Sequence, residues 1–129
     1  MSSFISTKQY YYCLLLLCLL QLAIASRDTT IVYITSNVGK GVDLIVHCKS
    51  KNDDLGKHLL HDQETFKFSF VPNIWGSTLF YCGFTWSDQF KWFDIYVESR
   101  DACQDCYWKI EPNGPCLQQD PVACFPWNK

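Results

Sequence analysis

The chain has no surplus of positive charge: across its 129 residues, 11 Lys and Arg stand against 13 Asp and Glu, a formal net charge of −2. Proteins that grip nucleic acids do so by neutralising phosphates with Lys and Arg, so this balance excludes a nucleic-acid footprint. The G-x-S-x-G turn of a serine hydrolase is absent, as is any N-x-S/T acceptor for N-glycosylation. No internal repeat, low-complexity tract or Pro/Gly/Ser linker marks a second domain. A 3.6-residue hydrophobic period is not sustained over ten positions anywhere, which turns the reading away from packed helices.

Long apolar runs are absent too, except at the start, "MSSFISTKQYYYCLLLLCLLQLAIASRD". Lys8 precedes an apolar stretch over residues 10–22, followed by Ala23-Ile24-Ala25. A basic n-region, a short h-region and an A-x-A site make a secretory signal peptide over residues 1–25. The stretch falls short of the roughly 20 apolar residues a bilayer-spanning helix needs. Cleavage after Ala25 leaves residues 26–129, the size of one small domain, with no membrane insertion expected once the leader is gone. Losing Lys8 takes the formal charge from −2 to −3.

The leader also removes Cys13 and Cys18, leaving Cys48, Cys82, Cys103, Cys106, Cys116 and Cys124. The secretory route is oxidising, so an even set in a small exported domain reads as three disulfides. The Cys103-x-x-Cys106 spacing also occurs in zinc sites and redox dithiols. Zinc would want a second pair at ligand spacing, and His47, His58 and His61 do not supply one. A redox dithiol opens a helix in a βαβ pattern, whereas Tyr107, Trp108 and Ile110 follow here and suit a strand. Six cysteines allow fifteen pairings. Cys116 and Cys124, flanked by Pro115 and Pro121, are placed to close a small loop, leaving the other four to pair among themselves. Cys103 lies just before its strand, within reach of a neighbouring one.

What recurs is period-2 alternation bounded by turn residues. In "ETFKFSF" Phe66, Phe68 and Phe70 share one face, and in "VDLIVHCK" Val42, Leu44, Val46 and Cys48 do. "TLFYCGF" groups Phe80, Cys82 and Phe84; "CYWKI" groups Cys106, Trp108 and Ile110. "TIVYITS" is β-rich with both faces partly apolar. "FKWFDIYV" sets Phe93, Ile95 and Val97 against Trp92 and Tyr96, as in a strand covered on both sides or one with exposed outer aromatics. Turn signals fall at 36–41, 50–57, 71–77, 86–89 and 99–105. The pattern predicts an all-β fold, a small disulfide-braced antiparallel sandwich of about six to eight strands.

Catalytic constellations are weak. Nothing in the spacing converges His47, His58 and His61 on one phosphate. No acidic cluster singles out a glycosidase pair, and oxidised cysteines make poor nucleophiles. Asn52, Asp53 and Asp54 offer oxygen ligands but lack EF-hand spacing, and a solvated turn with local backbone bonding explains them. No cofactor or metal is expected. Trp86, Trp92 and Trp108 read as core. Trp75 sits in a turn, where it is either a contact or a plug packed under its loop.

The ordered strings "VHCKSKNDDLGKHLL", "FKFSFVPNIWGSTLFYCGFTW", "WFDIYVESRD" and "CYWKI" together resemble the plant self-incompatibility protein S1 family, the S-protein homologues, over residues 31 to about 116. Ile74 stands where that family commonly has an aromatic. The resemblance implies a small secreted β-sandwich whose framework cysteines are Cys48, Cys82, Cys103 and Cys106, with Cys116 and Cys124 at or beyond the edge of the shared pattern. It carries over no catalytic residue. It implies recognition through variable hydrophilic loops, matching Lys51, Asn52, Asp53, Asp54 and Lys57, then Ser87, Asp88, Gln89 and Lys91.

Residues and resemblance together predict a non-enzymatic, extracellular plant signalling ligand of the pollen–pistil type, acting as a monomer on a plasma-membrane receptor protein. Loops on a rigid scaffold suit such a role. The rivals are a secreted defence protein that binds a microbial target and, less favoured, a small hydrolase. The net negative charge disfavours attack on anionic membranes.

Overall fold

The alternating segments fold as strands because each has one apolar face to bury and one polar face to leave in water. The computed structural model describes residues 6–25 and 28–128. A helix α1 spans Thr7–Ala25, with Tyr10, Tyr11, Tyr12 and the leucines from Leu14 to Leu20 largely exposed. No helix among the described residues is long and apolar enough to cross a membrane. Ser26 and Arg27, which would open the cleaved chain, lie outside the described residues.

Nine strands follow: β1 Thr30–Ser36, β2 Leu44–Lys49, β3 Asp54–Leu60, β4 Thr65–Phe70, β5 Leu79–Trp86, β6 Gln89–Val97, β7 Asp105–Glu111, β8 Gly114–Leu117 and β9 Ala123–Cys124. The count exceeds the expected six to eight because β8 and β9 are too short to display alternation. One sheet runs β4-β1-β7-β8-β9 and the other β3-β2-β5-β6. Pairing is antiparallel except between β1 and β7, which run parallel with Tyr33 opposite Tyr107. The parallel pair requires a crossover, and the chain passes through the second sheet between the two strands.

The inward residues meet between the sheets. Val32 and Ile34 of β1, with Trp108 and Ile110 of β7, face Leu44, Val46, Phe84 and Ile95 of the other sheet, all essentially inaccessible. Phe93 meets Trp108 edge to face at 5.4 Å. Phe70 meets Phe80 at 4.6 Å and Tyr96 at 4.7 Å. Each large side chain buried in this way contributes about 1.5–3 kcal/mol.

Two bulges reset the parity. On β6 the register shifts so that Phe80 faces Tyr96 while Cys82 faces Phe93. One extra residue therefore lies on β6, and Phe93, Ile95 and Tyr96 all become buried. This is why β6 showed apolar residues on both faces. On β3 the register shifts between His47 and Lys49, with Gly56 in the left-handed region at φ 77°. The segment read as one long turn over 50–57 is therefore a short turn followed by a bulged strand.

Three disulfides form. Cys48–Cys82 joins β2 to β5 at directly paired positions, with Cα atoms 4.0 Å apart. Cys116–Cys124 joins β8 to β9 in the same way. Cys103 bonds Cys106, three residues on, rather than reaching a neighbouring strand. The short closure tightens the entry to β7.

The C-terminal tail closes the open side of the sandwich. The Phe125 amide donates to the Pro115 carbonyl and the Trp127 indole N–H to that of Pro112. Trp127 packs on Phe84 and Trp86 at 5.3 and 5.7 Å. The tail crosses so close to Gly114 (φ 146°) that a Cβ there would lie 1.9 Å from the Phe125 carbonyl oxygen. Only glycine fits that position. The tail then reaches β6: the Asn128 amide donates to the Trp92 carbonyl, and the Asp94 amide donates to Asn128 Oδ1.

Candidate functional site

Strand directions sort the loops into two groups. Because Lys49 pairs with Tyr81, Leu79 with Val97 and Thr30 with Phe70, the turns after β2, β4 and β6 share one end. The Ser87–Asp88 turn between β5 and β6 lies at the other, roughly 20 Å away at ~3.3 Å per strand residue. The two segments that match the family's variable loops therefore lie at opposite ends of the sandwich.

At the first end, the Ser50 amide donates to the Asp53 carbonyl, and the Asp53 amide donates back to the Ser50 hydroxyl. This turn exposes Lys51, Asn52 and Asp53. Asp54 and Lys57, expected in the same loop, instead lie on β3. Asp54 is engaged by its own scaffold: its Oδ1 accepts from the Gly56 amide at 2.9 Å and meets His47 Nε2 at 2.6 Å. These contacts, the backbone bond foremost, lower its carboxyl below the ordinary range. Asp54 thus braces the β2–β3 edge while its side chain stays exposed.

Facing this turn is the segment 71–78, which brings Val71, Ile74 and Trp75 into water. Asn73 Oδ1 accepts from the amides of Trp75 and Ser77, and Thr78 Oγ1 accepts from the Asn73 amide at 2.7 Å. An Asn side chain that replaces backbone partners in this way fixes a turn locally. Trp75 at its tip is 82% exposed and Ile74 beside it 67%. Trp75 is thus a presented ring and not a plug. The signal that marks it is a large aromatic between Asn73 and Gly76, with no alternation around it. Between the two turns runs a groove of about 580 Å³, walled by Lys51, Asn52 and Asp53 on one side and Val71, Asn73 and Ser77 on the other, with Leu79 and Phe80 beneath.

The same end is braced from behind. Arg100 donates from Nε and Nη2 to both carboxylate oxygens of Asp101, each at 2.8 Å. The guanidinium lies 5.0–5.5 Å from the ring centroids of Phe93, Trp108 and Phe125. Asp101, its side chain only 2% accessible, also accepts from the Val97 amide. A bidentate pair stacked on aromatic faces makes this loop a rigid support.

At the opposite end, Ser87 (φ 45°) and Asp88 (φ 61°) form a two-residue hairpin turn with both residues left-handed. Gln89 and Lys91, expected in a loop, belong to β6. His61 Nδ1 contacts Asp43 Oδ1 at 2.7 Å nearby, and that bond raises the imidazole pKa.

Among the described residues no group of three or more His, Cys, Asp and Glu could hold a metal ion. Catalysis would require a nucleophile or acid–base pair at the groove. His47, His58 and His61 do not converge there: His58 Nε2 meets the Leu55 carbonyl, and the other two meet Asp54 and Asp43.

The sequence profile of plant self-incompatibility protein S1 matches residues 31–127. S-protein homolog 5 of Arabidopsis thaliana is 50% identical over 100 residues, covering 76% of this chain and 77% of its own length. S-protein homolog 19 of the same plant is 46% identical over 99 residues, covering 75% of each. Among solved structures, a self-incompatibility protein homologue superposes with a TM-score of 0.59 at 16% identity, over 81% of this chain and 99% of that one. It is described as one of a widespread family of small, highly stable, secreted plant proteins. The profile runs past Cys116, so the Cys116–Cys124 bridge lies within the family span and not beyond its edge. With three-quarters of its length matched by the family profile and half of the 100 residues aligned with one relative identical, the chain belongs to the plant self-incompatibility protein S1 family.

Proposed function

We propose that the protein is a non-enzymatic plant signalling ligand, exported by residues 1–25 and recognised outside the cell. Its partner is a plasma-membrane receptor protein, engaged by a single copy through the end of the sandwich that carries Trp75 and the Ser50–Asp53 turn. The observation that supports this most is the Asn73-braced tip: a large ring carried in water on a hydrogen-bonded turn, beside a polar turn. Rigid aromatic anchors supply most of the binding energy at protein interfaces. A pre-ordered loop also loses little entropy on docking. Secretion fits the three disulfides and the description of the homologous solved structure.

Signal-cleaved, oxidised protein is expected to bind plant protoplasts saturably. Trp75→Ala should weaken that binding by about 30-fold, the loss of one interface anchor. Asn52→Ala with Asp53→Ala should weaken it less, and Ser87→Ala with Asp88→Ala should leave it unchanged. Flow cytometry of a labelled protein reads all three. The proposal fails if no plant cell type binds saturably, or if the Trp75 variant binds as well as the parent.

A further inference from the structure

The outer face of the β3-β2-β5-β6 sheet is not polar, as a solvated sheet face would be. Cross-strand register puts Lys57, His47, Gly83 and Trp92 in one row. Ile45, Thr85 and Phe90 lie in the row on one side, and Lys49 and Tyr81 on the other. Phe90 leans along the sheet over Gly83, so closely that a Cβ on Gly83 would sit 2.8 Å from its ring. The absence of a side chain at Gly83 lets Phe90, Trp92 and Tyr81 line an open trough of about 400 Å³, with His47 and Lys49 along its other wall. Phe90 is 65% exposed, and Trp92 and Tyr81 more than a third.

We infer that this trough is a binding site for a neutral oligosaccharide. A pyranose presents an apolar face of C–H groups and a rim of hydroxyls. The electron-rich faces of Trp92, Tyr81 and Phe90 attract the weakly positive C–H edges, while the wall residues meet the hydroxyls. His47 is fixed by its 2.6 Å contact with Asp54, and Lys49 Nζ lies 3.9 Å from the same carboxylate. Asp54 therefore sets a carboxylate against both His47 and Lys49, so this wall presents hydrogen-bonding groups of mixed character and not a bare cluster of positive charge. A volume of 400 Å³ is within the range of small-ligand sites. A second copy of the chain is a poor occupant. Packed face to face it would bury His47, Lys49, Asp54 and Lys57, types depleted from interface cores and costly to desolvate. Sugar hydroxyls can instead bond to them.

The site is separate from the Trp75 tip, so the two readings stand or fall apart. The test is calorimetric titration of the oxidised protein with neutral hexasaccharides of glucose, mannose, xylose and N-acetylglucosamine, and with a galacturonic acid hexamer as the charged counterpart. At least one neutral hexasaccharide should bind with Kd below about 1 mM. Trp92→Ala and Tyr81→Ala should each weaken it by about tenfold or more. Trp75→Ala, and Tyr107→Ala on the outer face of the other sheet, should leave it unchanged. Should a variant fail to fold by circular dichroism, NMR shift mapping on the parent protein takes its place, with shifts expected at His47, Tyr81, Gly83 and Trp92. Absence of binding to every neutral sugar, binding of the charged hexamer alone, binding that survives both substitutions, or shifts centred elsewhere would each overturn the proposal.

Discussion

The two ends of the sandwich are held by different means. At the end bearing Trp75, Cys48–Cys82 closes β2 on β5 one residue before the Ser50 turn, Cys103–Cys106 tightens the entry to β7, and Arg100–Asp101 fills the loop between them. At the opposite end no disulfide closes a turn among the described residues; the two-residue Ser87–Asp88 hairpin and the exposed His61–Asp43 contact serve instead. Covalent and ionic bracing is gathered at the end that carries Ile74 and Trp75. A loop that must hold Ile74 and Trp75 in water gains nothing from hydrophobic burial, so its order has to come from cross-links, hydrogen bonds and the support behind it. A tight hairpin orders itself through backbone geometry alone.

The largest expected effect falls on the first end. Cys82→Ala opens a loop of 34 residues, worth about 4 kcal/mol in the chain-entropy picture, against about 2.5 for the eight-residue closure of Cys116–Cys124. Chemical denaturation of Cys82→Ala and Cys124→Ala should therefore place the first well below the second. Equal midpoints would mean that the bridges do not act through loop closure. Next comes Asp101→Ala, which leaves a partly buried guanidinium without its carboxylate and frees the Val97 amide. A loss of about 3 kcal/mol is expected, and the 71–78 segment should gain hydrogen-exchange rates. No change there would mean that the two loops are not mechanically linked.

The smallest effect belongs to the far end and depends on pH. His61 has its pKa raised by Asp43, so the folded state holds this proton more tightly than the unfolded chain does. The resulting stabilisation is fully present below the ordinary value of 6.5 and disappears as pH rises through the elevated folded value. Asp54, near the Trp75 end, works in the opposite sense. Its lowered pKa gives stability that is present above the ordinary carboxylate value and lost as pH falls through the depressed one. Melting scans of Asp43→Asn and the parent should diverge below neutrality and converge in mild alkali. A constant gap would show that the contact acts as a neutral hydrogen bond.

Strands β4 and β2 are legible because their alternation is uninterrupted. Phe66, Phe68 and Phe70 share a face as their spacing says, and Leu44, Val46 and Cys48 do likewise. What escaped the reading is whatever breaks the period. The bulge on β6 puts Phe93, Ile95 and Tyr96 inside together, which no strict alternation allows. Gly56 marked a bulged strand, yet its neighbours Asp53, Asp54 and Lys57 have turn-like composition. Of the residues expected to act in recognition, Lys51, Asn52 and Asp53 lie in an exposed turn, whereas Asp54, Lys57, Gln89 and Lys91 lie on strands. Hydrophilicity alone does not separate a presented side chain from one braced by its neighbours. Trp75 was noticed for its turn, but its exposure depends on the Asn73 bonds, which spacing cannot express.

The tail has a consequence for the handling of the chain. Asn128 occupies hydrogen-bonding groups along β6, the outermost strand of its sheet. Lifting residues 125–128 away from β6 would leave those groups as a vacant template on which a foreign strand can be laid. The final few residues thus serve as a selvedge, keeping the woven sheet from being extended by its neighbours.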